Sequence, residues 1–173
     1  MKKIISALVG PILVLSISGC AFQNLGTFDE KDNSSNKESP AVSSKTVGDT
    51  IVGDDYSISL NGVRSSSTGL LSSEPTNDNY LLLDLTIENL SSEELSVSTL
   101  LMMELQGSDS RRYDIAIFAE TSSPIDGTVP AQGQIRGEVA FDVKDLDSYT
   151  FSYKNGLLAD SVQFEIPATS INQ

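Results

Sequence analysis

Tyr80-Leu81-Leu82-Leu83-Asp84-Leu85-Thr86-Ile87-Glu88 decides the fold of this chain. Leu81, Leu83, Leu85 and Ile87 share one face of an extended segment, while Leu82, Asp84, Thr86 and Glu88 share the other. Side chains alternate along a strand, so the pattern predicts a half-buried strand whose second face meets water. The same period recurs upstream and downstream: at Tyr56, Ile58 and Leu60, at Leu95 and Val97, at Leu101, Met103 and Leu105, and at Tyr113, Ile115 and Ile117. It continues at Ile135, Gly137, Val139, Phe141 and Val143, then at Tyr149, Phe151 and Tyr153, and last at Val162, Phe164 and Ile166. No convincing amphipathic helix interrupts this series.

Turn chemistry separates the alternating segments. Gly107-Ser108-Asp109-Ser110 predicts a hairpin loop, and Asn155-Gly156 is a strong turn signal because both residues tolerate positive φ. Asn61-Gly62 and the run Asn89 to Glu94 read as further breaks. Seven to eight short strands, with a turn every ten residues or so, predict an all-β antiparallel β-sandwich. Some twenty inward apolar side chains at about 2 kcal/mol each are enough to hold such a domain without disulfides.

The N-terminus carries a different signal. Lys2 and Lys3 precede an apolar run from Ile4 to Ile17, and Ile17-Ser18-Gly19-Cys20 resembles the lipobox of bacterial lipoproteins. That resemblance implies cleavage between Gly19 and Cys20 and a diacylglycerol on the Cys20 thiol, with residues 1–19 as leader. The apolar run is fourteen residues long and includes Gly10 and Pro11, whereas a spanning helix needs about 20. An ordinary secretory leader would leave Cys20, the only cysteine, as a free thiol in an oxidising compartment. The reading therefore places the protein on the extracytoplasmic face of the cell membrane, with the membrane as a partner through the lipid. Residues 20–47 are polar and without period, including Asp29 to Pro40, and read as a tether. The folded domain is expected over residues 48–173.

Charge limits the partners. Formal net charge is −13, and loss of Lys2 and Lys3 with the leader makes it −15. Such a field repels phosphate backbones and anionic headgroups, which excludes nucleic acid as a natural partner.

Several local motifs resemble a family of Gram-positive surface domains of unknown function that often bears the misleading label of telomeric repeat-binding factor. They are the strand Tyr80 to Asn89, Leu105-Gln106-Gly107-Ser108-Asp109 leading to Tyr113, and Val129-Pro130-Ala131-Gln132-Gly133 leading into Gly137 to Val143. The resemblance spans roughly residues 48 to 167. It implies an immunoglobulin-like sandwich, similar to a small secreted mycobacterial antigen, and supplies no catalytic residues.

Chemistry must then be sought in the residues themselves. There is no histidine, and Cys20 is committed to lipid, which removes Ser-His-Asp and Cys-His systems and the usual zinc ligands. Ser34-Ser35-Asn36-Lys37 matches an S-x-x-K string, but its S-D-N and K-T-G companions are missing. Paired-carboxylate hydrolysis of envelope glycans is permitted by residue type. Asp142, Asp145 and Asp147 are clustered enough to suggest a weak calcium site, though their order does not match an EF-hand loop. Asp54 and Asp55 read as solvated turn residues, and Arg111-Arg112 as a charged edge that discourages aggregation. The expectation is a non-catalytic binding or scaffolding domain with an envelope protein or glycan as partner and no cofactor. Weak calcium or small-ligand binding is the alternative, and a carboxylate hydrolase stands third.

Overall fold

A computed structural model describes residues 45–156 and 159–172. The leader, Cys20, the Ser34 to Lys37 string and the tether as far as residue 44 lie outside the described residues. The strands are β1 (Lys45–Thr46), β2 (Thr50–Val52), β3 (Tyr56–Ser66), β4 (Asn79–Asn89), β5 (Leu95–Val97) and β6 (Met103–Gly107). They continue with β7 (Arg112–Tyr113), β8 (Gly127–Val129), β9 (Gln134–Val143), β10 (Ser148–Tyr153), β11 (Val162–Pro167) and β12 (Ile171–Asn172). A single helical turn, α1 (Thr99–Met102), joins β5 to β6.

Two sheets face each other as an immunoglobulin-like β-sandwich. One has the order β1-β11-β10-β6-β7, and the other β12-β3-β4-β9 with β2 also on β3. Neighbours are antiparallel except β1 with β11 and β12 with β3. The core between the sheets is the set that alternation selects: Ile58, Leu60, Leu83, Leu85, Ile87, Leu105, Phe141, Phe151 and Phe164 are fully buried. Phe141 meets Phe151 edge to face with ring centroids 6.5 Å apart, an arrangement the aromatic quadrupole favours.

Four details depart from the sequence reading. The sheet begins at Lys45, three residues inside the stretch read as tether, because Lys45 and Thr46 pair with Phe164 and Glu165 of β11. Asn61-Gly62 is no break: β3 runs through it with a register shift between Leu60 and Gly62. This is a β-bulge, the usual reason for glycine inside a strand. Leu101 is 84% exposed because residues 99–102 close into a helical turn rather than extending β6. Ile117 is 70% exposed because the chain has left the sheet by that point.

Asn89, read both as the end of the strand Tyr80 to Asn89 and as the start of a break, is the last residue of β4 and 1% exposed. Its side-chain amide donates to the carbonyls of Glu93, Val129 and Pro130, and its Oδ1 accepts from the Ser91 N–H and hydroxyl. One buried carboxamide thus satisfies the backbone of two loops at that end of the sandwich.

Candidate binding surface

The segment after the Gly107–Ser110 hairpin changes sheets. Arg112 and Tyr113 pair with Gln106 and Leu105 of β6. The next residues turn to β9: Ile115 lies opposite Phe141, the Ala116 N–H donates to the Ala140 carbonyl (2.8 Å), and the Asp142 N–H donates to the Asp114 carbonyl (3.1 Å). Continued along β6, the register would have set Ile115 opposite Met103. The two are separated instead by a crevice of about 510 Å³, walled by Leu100, Leu101 and Met103 on one side and Ile115 on the other.

Both polar edges and apolar surface face this crevice. In the antiparallel ladder, the Met103 backbone points away from β10, and its N–H is taken by the Thr99 carbonyl at the end of α1. Among the described residues, no hydrogen bond uses the Ile115 N–H or C=O. Leu100 and Leu101 stand 72% and 84% exposed beside it. Asp126 fixes α1 by accepting from the Thr99 N–H (2.9 Å) and hydroxyl. Arg112 pairs with Glu104 at 2.6 Å on the neighbouring edge.

On the other side of the same segment, residues 117–123 make an excursion across the outer face of the second sheet. Ala119 lands on Tyr80, Leu82 and Ala140, and the four form a second, smaller core. Leu82 is therefore 1% exposed, which corrects the expectation that its face of β4 meets water. The cover is held by polar contacts. The Phe118 carbonyl accepts from the Leu70 N–H and the Ser73 hydroxyl, and Arg64 donates to the Glu120 carbonyl. Arg64 also grips Glu138 through two bonds of 3.1 and 3.0 Å, and Glu138 accepts the Ser122 N–H at 2.7 Å. Burial pushes the Glu138 carboxyl up, but Arg64 and Ser122 outweigh it and hold the group below the usual glutamate value.

Gly69 is required at this junction, since a Cβ there would stand 2.3 Å from the Phe118 carbonyl oxygen. The following Leu71 and Ser72 adopt φ of 55° and 61°, a left-handed conformation costing a non-glycine residue roughly 1–2 kcal/mol. Leu71 projects wholly into solvent, with Phe118 (64% exposed) and Ile117 nearby on the covering segments.

The acidic residues singled out from the sequence do other work. Asp142 lies on the outer face of β9, where its carboxylate accepts the N–H groups of Thr76 and Asn77. Burial raises its pKa, and those N–H groups more than compensate, holding it low. Asp145 sits in the following loop and accepts from Asn79, while the Asp147 carbonyl receives the Ala168 N–H. Among the described residues no three carboxylates converge as metal ligands. A strand end followed by a turn sends the Asp142 and Asp145 carboxylates to different neighbours, while Asp147 takes part through its backbone, so sequence proximity does not become a cluster. Asp54 and Asp55 are exposed between β2 and β3, and the Asp55 carbonyl accepts the Leu90 N–H.

Known structures place this architecture among bacterial proteins. The candidate lipoprotein ycdA of Bacillus subtilis is similar at 18% identity and a TM-score of 0.60, over 73% of this chain and 39% of that one. The chain thus spans well under half of ycdA. The yjhA protein of Bacillus subtilis matches at 14% identity and 0.56, over 71% of this chain and 98% of its own. The secreted protein MPT63 of Mycobacterium tuberculosis matches at 15% and 0.55, over 70% and 95%. At these identities the likeness is one of fold, and it agrees with the sandwich that the sequence motifs imply. No curated protein has a matching sequence. A family model does match residues 45–165, from the first described strand into β11, and the chain belongs to that family, the domain of unknown function DUF4352.

Proposed function

We propose that this protein is a non-catalytic binding module of the cell envelope, anchored through lipid on Cys20 and engaging an extended segment of an envelope protein at the crevice beside α1. The observation that carries the binding role is the strand that changes sheets. It leaves the Ile115 backbone without a partner among the described residues, next to the exposed side chains of Leu100 and Leu101. A partner strand supplies alternating N–H and C=O groups for such an edge and apolar side chains for its walls, whereas a glycan offers hydroxyls without that spacing. The lipobox-like Ile17 to Cys20 supports the anchor. The likeness to ycdA, a candidate lipoprotein, and to MPT63, a secreted protein, supports a place outside the cytoplasm.

A photoreactive residue at position 101 tests the binding role in intact cells. Adducts should form from position 101 and not from position 165, on the exposed outer face of β11. Equal labelling at both positions, or none at 101, would discard the crevice as the binding surface. Cys20→Ala tests the anchor separately: incorporation of a palmitate analogue should disappear, and persistent labelling would reject it.

A further inference from the structure

The chain contains two Asn-Gly steps, Asn61-Gly62 and Asn155-Gly156, and the fold treats them in opposite ways. Asn61 is the extra residue of the β3 bulge, and its carboxamide donates to Asp84 at 3.2 Å and to Thr86 at 2.9 Å. Gly62 is held in the ladder opposite Asp84. Asn155 lies in the connection after β10, and among the described residues no hydrogen bond uses its side chain or the Gly156 N–H. Gly156 is exposed with φ of 111°, and nothing lies within 4 Å of where a Cβ would be.

We infer that Asn155-Gly156 is a site of spontaneous deamidation in the folded protein, from which Asn61-Gly62 is protected. The chemistry needs only water. The Gly156 backbone nitrogen loses its proton and attacks Asn155 Cγ. As the N–Cγ bond forms, the Cγ–Nδ2 bond breaks and the nitrogen departs as ammonia, taking up a proton. The resulting five-membered imide is opened by water at either carbonyl, giving aspartate or isoaspartate. Glycine at the second position removes the side chain that would crowd the attacking nitrogen. A carboxamide with no partner among the described residues can rotate toward that nitrogen, whereas Asn61 must first break its two hydrogen bonds and open a strand pair. The product carries one more negative charge. It would enter a cavity of about 300 Å³ that Asn155 lines together with Asp55, Glu93 and Glu94, so the change adds a carboxylate to an already acidic rim.

Timed incubation of the purified full chain, followed by peptide mapping with mass spectrometry and isoaspartate detection, tests the inference. In native buffer Asn155 should convert at least about tenfold faster than Asn61, since conversion at Asn61 waits on local opening. In concentrated urea the two rates should converge, and Asn155→Gln should abolish the major native product. Equal native rates, or a native ratio no larger than that in urea, would overturn the inference.

Discussion

Leu82 and Asp84 leave the same face of β4 two residues apart and end in opposite environments. Leu82 is packed under Ala119, whereas Asp84 stays partly exposed and pairs at 2.7 Å with Arg136, which is 65% exposed. The strand is the same and so is the backbone geometry. What differs is a segment more than thirty residues downstream that crosses one half of the face and leaves the other half bare. A two-residue period reports which side chains point together, not whether that direction is covered.

The largest effect expected within this comparison is on the inner face, which serves as its reference. Phe141→Ala should cost about 3–5 kcal/mol in urea unfolding, through lost burial and an unfilled cavity. Leu82→Ala should come next, at about 2–3 kcal/mol, because the outer cluster is small but closed to water. A loss under about 1 kcal/mol would mean the excursion does not cover β4 in solution.

Glu138→Gln should cost less, about 1–2 kcal/mol, since Arg64 is partly exposed and its pair with Glu138 is only partly desolvated. Hydrogen exchange should speed up over residues 117–123 before it does in the core strands, and uniform acceleration would break the link between this ion pair and the cover. Its pH dependence has a definite sign. The folded pKa of Glu138 lies below the ordinary carboxylate value, so its contribution is present above the unfolded pKa of about 4.3 and is lost as pH falls through the folded value. Glu138→Gln should therefore flatten the acid limb of the stability curve.

The smallest effect belongs to the open half of the face. Asp84→Asn should change stability by less than about 1 kcal/mol, as exposed pairs do, even though Arg136 is the main cause of its lowered pKa. A loss comparable to that of Leu82→Ala would show that the bare half is also structurally committed.

Most of the fold was legible because it rests on local alternation. The inner faces of β4, β9, β10 and β11 follow period two, as does that of β3 up to its bulge, and the Gly107–Ser110 loop joins β6 to β7 as expected. The candidate surface was legible only in part. Leu101 and Ile117 fit the alternation of neighbouring strands, yet one lies in a helical turn and the other on the excursion. Nothing in residues 112–116 announces a change of sheet: Tyr113 and Ile115 alternate as they would in a single uninterrupted strand. Asn89 was legible as the residue where a strand gives way to a break, but its role as a buried hub depends on carbonyls from Val129 and Pro130, some forty residues away.

The sequence by itself determined an acidic, all-β sandwich and the residues of its main core, because strand geometry ties side-chain direction to position along the chain. It also set the lipobox-like signal at Cys20, which is a matter of linear pattern. Only the tertiary structure decided that Leu82 is covered, that Asp142 and Asp145 serve separate neighbours, and that Ile115 stands at an open edge. Each of these depends on which distant segment arrives beside a residue. That is settled by packing and hydrogen bonds across the whole domain, and no local period encodes it.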